Sequence, residues 1–207
     1  NNSTTKSLKI TGALNEDSRK KLQNIFKSLS FEELEMDVKN GHSLRTMNYL
    51  FRERRDVHKI VIHVKAANIH SDYIKQSVMN LPPSDDLRIY LAASTKFIID
   101  DDVLLKIIRT SRVFHIKSDP TNSVAITATG LAGAFEALCS DTRRRCFDFC
   151  VSTSTFKLFL QRIYGDPAFE ANKNKNLIMH LESGAKVNCW MHSDNMRNIF
   201  MYNKRDE

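Results

Sequence analysis

The sequence predicts an α/β fold in which short strands alternate with helices around a parallel sheet. Three observations predict it. Short alternating segments begin at Leu8, Leu34, Ile60, Leu87 and Phe114, spaced 26, 26, 27 and 27 residues apart. Between them the apolar period changes from two to about 3.6. Within them, nearly every second position is polar, so one face of the sheet is apolar and the other mostly polar.

The elements follow in order. The first strand is Leu8-Lys9-Ile10. After Asn15 comes a helical stripe of Leu22, Ile25, Phe26 and Leu29. The second strand is Leu34 to Val38, and after Ser43 the stripe is Leu44, Met47, Leu50 and Phe51. The third is Ile60 to Val64, and after Ser71 come Ile74, Val78 and Leu81, stopped by Pro82-Pro83. The fourth is Leu87 to Leu91, and after Asp100-Asp101-Asp102 come Leu104, Ile107 and Ile108. The fifth is Phe114 to Ile116; a helix after Thr127 or Thr129 buries Leu131, Phe135 and Leu138. A sixth, Phe147 to Val151, starts 33 residues later, which fits an insertion around Ser118-Asp119-Pro120-Thr121-Asn122. After Ser154 come Leu158, Phe159 and Ile163, ending at Gly165-Asp166-Pro167. Ser, Asn and Asp ahead of each stripe accept from the free amides of a first turn. Leu177 to Leu181, Val187 to Met191 and Met196 to Tyr202 read as antiparallel strands, the first two joined by a turn at Glu182-Ser183-Gly184-Ala185.

Helical crossovers make neighbouring strands parallel. A doubly wound sheet would bury both faces, and its strands would read as continuous apolar runs. Here the second face carries Lys9, Thr11, Glu35, Asp37, Lys39, Val61, His63, Lys65, Arg88, Tyr90, His115, Lys117, Asp148 and Cys150. Helices laid over so many charges would leave them desolvated. The expectation is therefore an open, curved solenoid of strand–helix repeats with helices on one flank. It would be an irregular leucine-rich-repeat-like architecture, since the usual asparagine is missing. The chain is read as a single domain over 1–207, with repeats to about 165 and an antiparallel cap at about 176–203.

Composition narrows the function. Hydrophobic residues make up 42% and charged residues 27%, which suits a soluble globular chain. No apolar run reaches the ~20 residues of a membrane helix. The chain starts at Asn1 rather than Met, so a piece of a longer protein is expected. The 4 cysteines lack the spacing of a disulfide framework, which favours the cytoplasm or nucleus. The net charge of +7 permits nucleic-acid binding without requiring it. The basic clusters Arg52-Glu53-Arg54-Arg55 and Arg143 to Arg145 both fall at element boundaries, where solvated connections are expected.

The segment Arg143-Arg144-Arg145-Cys146-Phe147-Asp148-Phe149-Cys150-Val151 invites a metal reading. On a strand, Cys146 and Cys150 share a face but lie roughly 13 Å apart. Sulfurs around one zinc must be about 4 Å apart, so the pair does not chelate locally. Cys139 and Cys189 add no second pair. His63, His115 and His180 are base candidates only if the fold brings a nucleophile to them. Thr129-Gly130-Leu131-Ala132-Gly133 resembles a phosphate loop only in composition and reads as a first helical turn packed on a neighbour. The Asp100 to Asp102 run reads as a helix N-terminus. Neither catalytic residues nor a cofactor or metal are expected.

The bare face is the candidate site. Val61, His63, Arg88, Tyr90, His115 and Lys117 fall on three consecutive strands, within one patch at ~4.8 Å per strand. Their mixture with Glu35, Asp37 and Asp148 fits a protein partner, where charge sets specificity and Tyr or Arg supplies affinity. Nucleic acid, RNA included, is the alternative, an enzyme ranks third, and self-association through this face stays open.

From residue 112 onward the chain resembles the FTH domain of nematode F-box proteins. The likeness rests on Arg112-Val113-Phe114-His115-Ile116-Lys117, on Cys146-Phe147-Asp148-Phe149, and on Phe156-Lys157-Leu158-Phe159-Leu160 with Ile163-Tyr164-Gly165-Asp166-Pro167. It continues in Leu177 to Leu181, Lys186 to Trp190 and Ile199-Phe200-Met201. The resemblance implies a domain that recruits a substrate or partner and has no catalytic residues. It also implies an upstream F-box, outside these residues, that binds the Skp1-like adaptor of a cullin ubiquitin ligase.

Overall fold

The computed structural model describes residues 3–26, 29–53, 57–66, 68–92, 95, 97–118, 124–140, 145–164, 177–180, 185–193 and 196–203. The chain is α/β. Strands β1 (Ser3–Ile10), β2 (Leu29–Val38), β3 (Lys59–Val64), β4 (Ser84–Leu91), β6 (Ser111–Ser118) and β8 (Arg145–Ser152) lie side by side in that order, all parallel. Between them run α1 (Glu16–Phe26), α2 (Gly41–Glu53), α3 (Ser71–Met79), α4 (Asp101–Thr110) and α5 (Ala128–Ser140). Helix α6 (Thr153–Tyr164) follows β8. Each helix packs on the next, so the six form one layer.

The register makes the repeat physical. Leu8, Leu34, Ile60, Leu87, Phe114 and Phe147 are direct neighbours across the sheet. All but the half-buried Leu8 are buried beneath the helices, each contributing about 1.5–3 kcal/mol. Ile10, Met36, Ile62, Ile89 and Ile116 form a second buried row. Phe114 stacks on Phe147 with ring centroids 4.8 Å apart. No helix of the described residues covers the other face.

Each helix begins at a side-chain acceptor, though not always the expected one. Asn15 accepts from the Ser18 amide (2.8 Å). In α2 the cap is Asn40, not Ser43: the Ser43 amide donates to Asn40 Oδ1 (3.0 Å), and the Asn40 amide donates back to Ser43 Oγ (3.0 Å). The strand ends at Val38, so the first acceptor after it takes the cap and Ser43 closes a reciprocal box. His70 caps α3, Asp100 caps α4 and Thr127 caps α5. Ser152 caps α6, accepting from the Thr155 amide (3.0 Å), so Ser154 lies inside the first turn.

Several expectations shift. Leu29 opens β2 instead of closing α1, and Ile25 is exposed while Phe26 anchors that helix. Leu158 is also exposed; Phe156 and Leu160 join Phe159 in the core. Two short strands escape the pattern, β5 (Ile99–Asp100) and β7 (Val124–Ala125), paired parallel in a separate ladder. At the C-terminus β9 (Leu177–His180), β10 (Ala185–Ser193) and β11 (Met196–Asn203) are antiparallel. The last of them, β11, pairs with β8, and β10 and β9 lie outside it. They continue the sheet. The insertion at 119–123, the Gly165-Asp166-Pro167 ending and the turn at 182–184 lie outside the described residues. No described helix is long and apolar enough to cross a membrane.

Candidate functional site

Alternation on the strands puts one set of side chains under the helices and the other on the open face. The register then sorts the open face into rows. Lys9, Glu35, Val61, Arg88, His115 and Asp148 make one row. Asp37, His63, Tyr90 and Lys117 make the next. All six candidate residues therefore meet on β3, β4 and β6: Val61, Arg88 and His115 abreast, with His63, Tyr90 and Lys117 beside them.

Their side chains are held by neighbours. The His63 ring stacks on Tyr90 at 4.8 Å and 12°. Its Nε2 is 3.3 Å from Glu35 Oε1, which also receives the Lys9 ammonium at 2.7 Å. The Lys9 hydrogen bond holds the Glu35 carboxyl below its ordinary range. Arg88 donates through Nε and Nη2 to Asp86, with Nη2 to Oδ2 at 2.8 Å; that bond keeps its proton more tightly bound than usual. His115 Nδ1 lies 3.2 Å from Asp148 Oδ2. The face is a lattice of opposite charges whose donors and acceptors are already oriented.

Sequence reasoning missed a third row: Ser7, Glu33, Lys59, Asp86, Val113 and Cys146. Continuing the alternation two residues back along each strand would have found it. Asp86 matters most there, because it orients Arg88.

Other chemistry is taken up structurally. Burial, then the nearby Asp148, pushes the Cys150 thiol up to about 11, so it stays protonated and unreactive at neutral pH. No cluster of His, Cys, Asp or Glu able to hold a metal occurs among the described residues. The side chain of His180 lies outside them. Asp100 caps α4 and binds Lys75. Asp101 accepts from the Thr127 amide (2.7 Å) and hydroxyl (2.6 Å), tying α4 to the start of α5. Arg145 is buried, not solvated, and donates to the Ile108 carbonyl near the end of α4; Arg54, Arg55, Arg143 and Arg144 lie outside the described residues.

The small-residue turn has a measurable role. A Cβ on Gly130 would stand 2.0 Å from Asp101 Oδ1. Gly130→Ala must push that carboxylate off Thr127, losing a charged bond to the first turn of α5. The expected loss is about 1–3 kcal/mol in urea unfolding. Adding Asp101→Ala to Gly130→Ala should cost little more, because the two act on one contact.

Compared with family models, curated proteins and solved structures, the chain matches none.

Proposed function

We propose that this chain is a non-enzymatic recognition module that binds a protein partner through the open face of β3, β4 and β6 and the adjacent loops. The observation that carries the reading is the in-register cluster of Val61, His63, Arg88, Tyr90, His115 and Lys117 on an uncovered sheet face. Binding costs less when side chains are ordered beforehand, and here Asp86 holds Arg88 while His63 braces Tyr90. Sequential parallel strands with one helical layer support the finer description, an irregular leucine-rich-repeat-like solenoid whose open face serves for docking. On the resemblance to FTH domains, the partner is a substrate recruited for a cullin ubiquitin ligase, with an upstream F-box holding the Skp1-like adaptor. The expected compartment is cytoplasm or nucleus.

Nucleic acid suits the face less well. Glu33, Glu35, Asp86 and Asp148 alternate with the cations along the rows. A phosphate chain laid across them would meet repulsion at every second strand.

Affinity capture from extract with and without nuclease identifies the partner, and calorimetry with that partner tests the site. Arg88→Ala and Tyr90→Ala should each weaken binding by ~1–2 kcal/mol while leaving the melting temperature nearly unchanged. Unaltered affinity in the double variant would falsify the site, and capture that vanishes with nuclease would overturn the choice of partner.

A further inference from the structure

A cleft of about 770 Å³ opens on the helical side, where α1, α2 and the turn after α3 meet. Its size falls in the range of ligand sites. The floor is apolar: Phe51, Leu81 and Pro82 are buried there. The rim is cationic, with Arg19 from α1 and Arg45 and Arg52 from α2. Asn48 and Asn80 face it from two sides and are exposed. No carboxylate lines the cleft among the described residues.

We propose that this cleft binds an acidic peptide segment of a protein, one that carries a single apolar side chain between carboxylates. Each part of the lining answers one part of such a segment. The apolar floor takes the hydrophobic side chain. Guanidinium forks pair with carboxylates in a bidentate way that no other side chain matches. Arg19 is already engaged, its Nε donating to Glu16 at 3.0 Å and its Nη2 to the other oxygen of the same carboxylate, so it shapes the rim and leaves the ligand's carboxylates to Arg45 and Arg52. Exposed Arg45 has room to swing onto a ligand. The side-chain amides of Asn48 and Asn80 donate and accept, as an extended peptide backbone requires. Pro82 and Pro83 bring ring carbons and no backbone N–H to the cleft wall.

A phosphodiester chain fits worse. It needs a run of cations along its whole length, whereas this rim adds Arg45 and Arg52 to the Arg19–Glu16 pair, beside an apolar floor that a sugar-phosphate chain has no aliphatic side chain to fill. The cleft lies across the sheet from the open face, so the two sites are independent.

The test is fluorescence anisotropy with labelled short peptides, each rich in Glu and Asp around one Leu, Ile or Phe. Lysine-substituted counterparts and a single-stranded oligonucleotide are the comparison arms. The acidic peptides should bind, and the Lys peptides should not. The double variant Arg45→Glu with Arg52→Glu should lose at least about tenfold in affinity. Both positions are exposed, so an unchanged melting curve is expected for that variant. Replacing the central apolar residue by Ser should also weaken binding, and Tyr90→Ala should leave it intact. Binding that survives the double charge reversal, tighter retention of the oligonucleotide, or no binding by any acidic peptide would overturn the assignment.

Discussion

Phe114→Ala should destabilise the chain by about 3–5 kcal/mol, the largest effect of any single substitution considered. The ring is fully buried in the middle of the sheet. It stacks on Phe147 at 4.8 Å and on Phe149 at 5.7 Å, so the loss includes two aromatic contacts as well as the transfer energy. Strands β4 and β8 flank it through Leu87 and Phe147, and neither can collapse into the gap without breaking register. A loss of that size approaches the whole stability of a domain, typically about 5–15 kcal/mol. Urea titration followed by circular dichroism measures it. Phe114→Leu, which refills most of the volume, should recover more than half. A loss below about 1 kcal/mol for the alanine variant would mean that the row is not packed as described.

Asp37→Asn should cost about 2 kcal/mol at neutral pH, and the cost should fade in acid. Asp37 is nearly buried at the end of β2. Burial by itself would raise its carboxyl, but Lys65, the Gly12 amide and Lys39 outweigh it and hold the group below its ordinary value. Lys65 Nζ donates to Oδ1 at 2.9 Å. The Gly12 backbone has a φ of +92°, a conformation that suits glycine. Asp37 thus pins the turn between β1 and α1 to the sheet. Because the folded pKa is the lower one, this stabilisation is complete above the unfolded value near ~3.9. It disappears as pH falls through the folded value. Wild type and variant should therefore differ by the full amount at neutral pH and begin to converge only below about pH 4, meeting once the pH is under the folded value. A gap that stays constant down to strong acid would show that the carboxylate's charge does not matter.

The repeat was legible because its cause is local. Leu34, Ile60, Leu87 and Phe114 recur at a spacing set by one strand, one helix and two turns, and strands alternate faces whatever surrounds them. The helix starts were legible to within a few residues for the same reason: a first turn needs an acceptor, and Asn, Ser, Thr or Asp caps every one of the six except α3, which His70 caps one residue before Ser71. Alternation also exposed the candidate patch, since His63, Tyr90 and Lys117 could not point toward the helices without taking the apolar residues away from them. The misses were equally local in origin. Asp86 was overlooked because the strand was started at its first apolar residue, Leu87. Strands β5 and β7 are two residues long and show no period.

What the sequence determined alone was the class, the strand phase and hence which side chains share each face. Only the tertiary structure decided which strand the C-terminal segment joins, because β11 pairs with β8 by backbone hydrogen bonds that carry no residue code. It also decided that Arg145 is buried against the end of α4 and that Asp101 reaches Thr127. Those contacts join residues far apart in the chain, and no local period records them. The cleft between α1, α2 and the turn after α3 belongs to the same kind: three segments, each ordinary by itself, make a basic rim over an apolar floor only when helices that do not know of one another in sequence are packed side by side.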